Sequence, residues 1–202
     1  MNPKPIFVTG IGTGVGKTIV AAILVEQLKA DYWKPIQSGD LENTDTDQVR
    51  HLVSNPISKF HPESYRLTQP FSPHKSAQLD GVQIGLEKIG VPQTKNQVII
   101  EGAGGLMVPL NDHDMMIDLI KKLDVEVILV IRHYLGSINH SLLSLLALKT
   151  YGLSCKGIIY NGDINESSET AIFNYAKTPV LGRVPNLKAL DQQTIRGIQM
   201  NL

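Results

Sequence analysis

Apolar residues along the chain follow two alternating rhythms. Short, nearly unbroken β-branched runs at residues 6–9, 98–101, 125–131 and 157–161 read as strands, with shorter ones at 32–34 and 180–182. V-E-V-I-L-V-I and Q-V-I-I carry almost no polar alternation, as expected of strands covered on both faces. Between these runs the apolar positions recur at helix spacing, which predicts helices at 17–29, 46–53, 77–89, 115–123, 137–151 and 167–175. Strand and helix alternate without internal repeats, so the expected fold is α/β: a mostly parallel sheet with helices on both faces, in one unit over residues 1–202. Residues 55–76, rich in Pro, Ser and His, break the rhythm and read as a long surface excursion.

In open α/β sheets, ligands bind beyond the carboxyl ends of the strands, and the polar residues with chemical potential follow the strands here. The first strand leads into G-I-G-T-G-V-G-K-T and then directly into a helical pattern. Strand, glycine loop, Lys-Thr and helix form a phosphate-binding arrangement. Glycine lets the backbone turn tightly and aim its N–H groups inward, and the helix N-terminus adds positive potential at the same point. Lys17 then reaches the β- and γ-phosphates and the Thr18 hydroxyl helps hold Mg²⁺. The loop departs from the standard G-x-x-x-x-G-K-[ST] pattern. Ile11 stands where the first glycine would fall, and the loop from Gly10 to Gly16 is one residue longer.

Four later stretches extend this site. W-K-P-I-Q-S-G closes the second strand, where Lys34 can neutralise transferring phosphoryl oxygens and Ser38 can bind a substrate group. N-T-D-T-D precedes a helix, so its residues suit either an N-cap or a carboxylate on Mg²⁺. Glu101 ends an apolar strand before Gly102, Ala103, Gly104 and Gly105. A buried strand-end acid needs a cation or hydrogen bonds to offset desolvation, and this is the Walker B position. L-G-S-I-N-H opens a helix whose first N–H groups suit a carboxylate. That helix is apolar nearly all round through Leu142, Leu143, Leu145, Leu146 and Leu148, which points to a subunit interface. Asn161 and the loop around Pro185 can read a base edge. His133 and His140, without neighbours at metal-ligand spacing, read as structural.

Composition narrows the partners. Lys+Arg and Asp+Glu are both 19, so bulk charge does not recommend nucleic acid or an anionic membrane. The single cysteine, Cys155, reads as a packing residue; it permits no internal disulfide and fits a reducing compartment. No apolar run approaches the roughly 18 residues of a membrane span, and the start lacks the pattern of a signal peptide. The expected location is the cytoplasm.

Taken in order, V-T-G…T-G-V-G-K-T, W-K-P-I-Q-S-G, N-T-D, S-P-H-K-S-A-Q, E-G-A-G-G, L-G-S-I-N-H and V-P-N-L resemble dethiobiotin synthetase over nearly the whole chain. The resemblance implies a P-loop NTPase-like, doubly wound fold. It also implies ATP-dependent closure of a ureido ring on 7,8-diaminopelargonate with CO₂ and Mg²⁺. Lys17, with Gly14, Val15, Gly16, Thr18 and Ile19, would hold the phosphates, and Thr13 would lie on the substrate side. Thr18, Asp45 and Glu101 match the metal ligands, with Gly102, Ala103 and Gly104 beside the nucleotide. Asp45 is preferred over Asp47 because the family's acid follows N-[ST]. Lys34 matches the active-site lysine, joined in catalysis by Lys17 and Thr13, and Ser38 would meet the diamine. Leu135, Gly136, Ser137, Ile138 and Asn139 would bind the substrate carboxylate across a homodimer interface. Asn161, Gly162, Pro185, Asn186 and Leu187 would hold adenine. The chain departs from the family at Gly12 and Gly14, where acids are common, and in a short tail after Val184. Cobyric-acid-synthase-type amidotransferases would need a second domain. ParA/MinD-like ATPases carry an extra lysine early in the loop, where this chain has Ile11 and Gly12.

Overall fold

The computed structural model describes residues 3–202. Its main sheet is parallel throughout, in the order β4 (Phe60–His61), β2 (Asp31–Trp33), β6 (Val98–Gly105), β1 (Ile6–Gly10), β7 (Glu126–Arg132), β8 (Cys155–Asn161) and β9 (Val180–Val184). A second, two-stranded parallel sheet joins β3 (Ile36–Ser38) to β5 (Tyr65–Leu67). Helices are α1 (Lys17–Leu28), α2 (Asp45–Leu52), α3 (Pro73–Leu79), α4 (Met116–Leu123), α5 (Ser137–Thr150), α6 (Glu166–Ala176) and α7 (Gln192–Gly197).

Strand pleating divides the core between the two faces of the sheet. Ile6 and Val8 of β1 pack with α1, Ile172 of α6 and Ile195 of α7. Phe7 points the other way, into a cluster with Trp33, Ile100 and the α4 residues Met116, Ile117, Leu119 and Ile120. β1 lies between β6 and β7, so the chain leaves β1 first for one half of the sheet and later for the other. Such a switch point opens a crevice at the carboxyl ends of the strands, and the phosphate loop occupies it.

The doubly wound α/β architecture agrees with the sequence reading, and one expected helix needs correction. The helix expected at 77–89 is instead α3, starting at Pro73 and ending at Leu79, followed by a 3₁₀ turn at Leu86–Lys88. Asp80 stops it by turning its carboxylate back onto Thr68, accepting from the backbone N–H at 2.7 Å, and Gly81 then adopts φ +66. The excursion expected at 55–76 is mostly irregular and outlying, and it carries the short strands β4 and β5 and the start of α3. The C-terminal tail also docks. Gln27 of α1 exchanges two 2.8 Å hydrogen bonds with the backbone of Met200, and Ile195 is fully buried.

Candidate active site

The cavity is built at and beyond the carboxyl-terminal halves of the strands, and Glu101 lies within β6, which runs past the expected end at residue 101 to Gly105. β1 releases the chain into the loop, which ends at Gly16 (φ +94), and α1 begins at Lys17. Gly16 is required on two counts. Its backbone is left-handed, and a Cβ would come within 2.1 Å of the Asn161 side-chain nitrogen. That amide donates to the Val15 carbonyl at 2.9 Å, tying the end of β8 to the loop. Gly14 also has positive φ, at +72, and its Cβ direction is open.

Lys17 is buried and donates to the Gly12 carbonyl at 3.0 Å. Burial pulls its pKa down to about 8, while neighbouring Glu101 works in the opposite direction. Beside it, Thr18 Oγ1 lies 3.0 Å from Asp45 Oδ1 and 2.9 Å from Glu101 Oε1. Lys34, 4% exposed, bridges the same carboxylates, with Nζ 2.8 Å from Asp45 Oδ2 and 3.2 Å from Glu101 Oε1. Burial opposes the charge on Lys34, but Glu101 and Asp45 together hold its pKa above the ordinary lysine value. Burial likewise opposes ionisation of Asp45, and Lys34 leads the interactions that keep its pKa below the ordinary aspartate value. Glu101, 1% exposed, has its second oxygen engaged by the Tyr32 hydroxyl at 2.8 Å. Burial, with Glu101 adjacent, pushes the Tyr32 phenol well above its normal range.

Asp45 is the first residue of α2, and Thr44 rather than Asp45 caps that helix. The capping box joins Thr44 to Asp47. This resolves the choice left open by N-T-D-T-D: Asp47 is used in the cap, and Asp45 faces Lys34 and Thr18. Two carboxylates and a hydroxyl form a hard-oxygen set suited to Mg²⁺ that also binds phosphate oxygens. Among the described residues, no group of three or more His, Cys, Asp or Glu forms a fuller cage.

These groups open into a cavity of about 780 Å³. Of the residues expected at the site, Thr13, Gly14, Gly16, Lys17, Thr18, Ile19, Lys34, Ser38, Asp45, Glu101, Ala103 and Gly104 line it. Val15 is buried in the core, and Gly102 is packed under the Phe7 ring. Ser38 Oγ is buried without a hydrogen-bond partner. Asn161, Gly162 and Asn186 meet in a separate hollow of about 240 Å³, which Pro185 and Leu187 do not line. Leu135, Gly136, Ser137, Ile138 and Asn139 lie at the start of α5, outside the cavity of this chain, with Leu135 fully exposed. His133 is held by Glu169 at 3.1 Å and stacks on Tyr160; His140 meets the Tyr134 hydroxyl at 2.7 Å.

Sequence reasoning missed Tyr32, Gln37, Asp40 and the strap Pro70–Phe71–Ser72–Pro73, which forms a cavity wall. The strap carried a signal in the two prolines that frame it, which suit a rigid turn. Tyr32 carried none, because an apolar strand position does not disclose that its hydroxyl reaches a carboxylate.

A glycine-rich phosphate loop at the switch point of a parallel sheet, with a buried acid of the neighbouring strand beside it, defines a P-loop nucleotide-binding enzyme. A family model described as an AAA domain matches residues 4–194. The chain is 52% identical over 194 residues to an ATP-dependent dethiobiotin synthetase of Christiangramia forsetii, spanning 96% of this chain and 93% of that relative. It is 46% identical over 200 residues to one of Cytophaga hutchinsonii, spanning 98% and 97%. Among solved structures, a ParA family ATPase of Chlorobium tepidum superposes with a TM-score of 0.60 at 16% identity, covering 98% of both chains. The MinD protein of Pyrococcus horikoshii, complexed with Mg-ADP, superposes with a TM-score of 0.57 at 18% identity, covering 98% of this chain and 87% of its own. These two likenesses concern the fold alone. The chain belongs to the dethiobiotin synthetase family and is an enzyme of the ligase class. Among its described residues, no helix is long and apolar enough to cross a membrane.

Proposed function

We propose that this protein, as a single catalytic unit over residues 1–202, uses ATP and CO₂ to close a ureido ring on 7,8-diaminopelargonate. The products are dethiobiotin, ADP and phosphate. The observation that carries this reading is the gathering of Lys17, Thr18, Lys34, Asp45 and Glu101 around one cavity, with Ser38 and Thr13 on its wall.

In this reading one substrate amine takes up CO₂ to form a carbamate. A carbamate oxygen attacks the γ-phosphorus of ATP, ADP leaves, and a carbamic–phosphoric anhydride results. The second amine attacks the anhydride carbonyl, the C–O bond to phosphate breaks, and inorganic phosphate departs. Lys17 and the loop amides hold the phosphates, and Lys34 stabilises charge developing on the carbamate and the transferring phosphoryl. Ser38, whose hydroxyl oxygen has no other partner, orients the diamine. Mg²⁺ held by Thr18, Asp45 and Glu101 would neutralise phosphate charge. Asn161, Gly162 and Asn186 frame the base, with Pro185 and Leu187 on the same loop.

The substrate carboxylate is assigned to the N-terminus of α5 in a second copy of the chain. Leu143 (55% exposed) and Leu146 (58%) leave an apolar face on α5, which supports a homodimer. A reducing, cytoplasmic setting belongs to the same reading, since Cys155 is unpaired. An assay with diaminopelargonate, bicarbonate, Mg²⁺ and ATP tests the proposal. Dethiobiotin and one equivalent of ADP are expected, and no dethiobiotin with any nucleoside triphosphate would overturn it.

A further inference from the structure

The two carboxylates assigned to the metal already hold a cation. Lys34 Nζ sits 2.8 Å from Asp45 and 3.2 Å from Glu101, with its side chain almost wholly buried. Glu101 offers only one oxygen to the cavity side: Oε2 accepts from the Tyr32 hydroxyl at 2.8 Å, whereas Oε1 faces both Thr18 and Lys34. A divalent ion drawing on Oε1 therefore competes directly with the Lys34 ammonium. Both cations cannot share these oxygens without strong repulsion at contact distance.

The charge count points the same way. Without nucleotide, two carboxylates face two lysines, Lys34 and Lys17. A divalent ion entering alone would leave the pocket with excess positive charge. Entering with a polyphosphate, it brings negative charge that a displaced Lys34 can meet. The lysine has a four-carbon flexible stem and borders the cavity, so its head can move while the strand end stays fixed.

We propose that Lys34 is a resident counter-cation of the nucleotide-free enzyme: it keeps free divalent metal out of the Asp45–Glu101 site, and arrival of metal with nucleotide frees it to face the phosphates. Lys34 thereby acts as a positioning residue that couples metal entry to nucleotide entry, before any role in turnover. The inference rests on the reading of Asp45 and Glu101 as metal ligands.

The test measures Mn²⁺ binding to the full chain by the loss of the free-ion paramagnetic resonance signal, without nucleotide. Lys34→Met and Lys34→Gln should bind Mn²⁺ at least about tenfold more tightly than wild type, and Lys34→Arg should stay within about threefold of it. The gain should vanish when Glu101→Gln is added to Lys34→Met. A purely structural lysine would not produce tighter metal binding on removal. Unchanged or weaker Mn²⁺ affinity in folded Lys34→Met or Lys34→Gln overturns the proposal. If neither variant folds, wild type decides: weak Mn²⁺ binding that becomes tight with a non-hydrolysable ATP analogue supports it, and stoichiometric micromolar Mn²⁺ binding without nucleotide overturns it. Should Mn²⁺ bound with the analogue be indifferent to Glu101→Gln, the metal assignment itself fails and takes the proposal with it. If that binding depends on Glu101 but free Mn²⁺ is indifferent to Lys34, only the proposal fails.

Discussion

At the residue scale, the site is a small network of charges removed from water. Glu101 and Lys34 are almost fully buried, and each is tolerable only because the other is present, with Asp45, Thr18 and Tyr32 completing the set. Tyr32→Phe removes one hydrogen bond to a buried carboxylate and should lower stability by about 1.5–3 kcal/mol, read as a smaller urea midpoint at unchanged slope. Lys34→Ala should cut kcat by about 100-fold or more, while nucleotide Kd shifts less than about tenfold. Steady-state kinetics and calorimetric titration separate the two, and an equal loss in both would argue against a role where charge develops. The nature of this network was only half legible in the chain. Lys34 follows β2, Glu101 closes the apolar part of β6 and Thr18 opens α1 after the glycine loop, so their approach to one point could be expected. Tyr32 belongs to an apolar strand pattern that says nothing about where its hydroxyl ends.

At the scale of elements, the edge of the sheet is pinned by one buried acid. Asp31 at the start of β2 accepts from Asn96 at 2.7 Å and from the Lys59 backbone at 3.0 Å, and lies 2.9 Å from His61 Nε2. It thereby fastens the two-residue strand β4, which Arg50 also covers by stacking over Phe60. Burial alone would raise the Asp31 pKa, but the hydrogen bonds from Asn96, His61 and Lys59 prevail and hold it below the ordinary 3.8. A depressed folded-state pKa gives stability that is complete above the unfolded value and disappears as pH falls through the folded one. Wild type should therefore lose stability below about pH 4, and Asp31→Asn should flatten part of that loss while lowering stability at pH 7, as followed by urea unfolding across pH. Strands of two or three residues such as β3, β4 and β5 were invisible to periodicity, because too few positions exist to show a pattern. The helix expected at 77–89 failed for a related reason. Its apolar spacing continued past Asp80, but the Asp80 carboxylate bonds to Thr68, a long-range partner that spacing cannot reveal.

At the scale of the whole molecule, the apolar excess on α5 is the main unspent surface. Leu145 and Leu148 satisfy the core, whereas Leu143 and Leu146 face outward. Light scattering should report twice the 22.2 kDa chain mass. The double substitution Leu143→Asp, Leu146→Asp should yield a monomer whose KM for diaminopelargonate rises about tenfold or more while ATP affinity holds, if the α5 N-terminus of one copy serves the cavity of the other. A dimer that survives the substitution would move the interface elsewhere.

What the amino-acid order determined alone was whatever is local: the glycine loop before Lys17-Thr18, the β-branched runs and the helix-period faces between them. Backbone sterics and burial on a two-sided sheet make these legible within a window of a dozen residues. The tertiary structure decided what depends on distance in space: the order of strands that brings β6 beside β1 and β2 beside β6, the sharing of Glu101 among Tyr32, Thr18 and Lys34, and the strap that walls the cavity. The contacts to Glu101 alone join residues up to 83 positions apart. Their existence depends on the packing of whole elements, because a charge can be buried only where its partners have already been assembled around it.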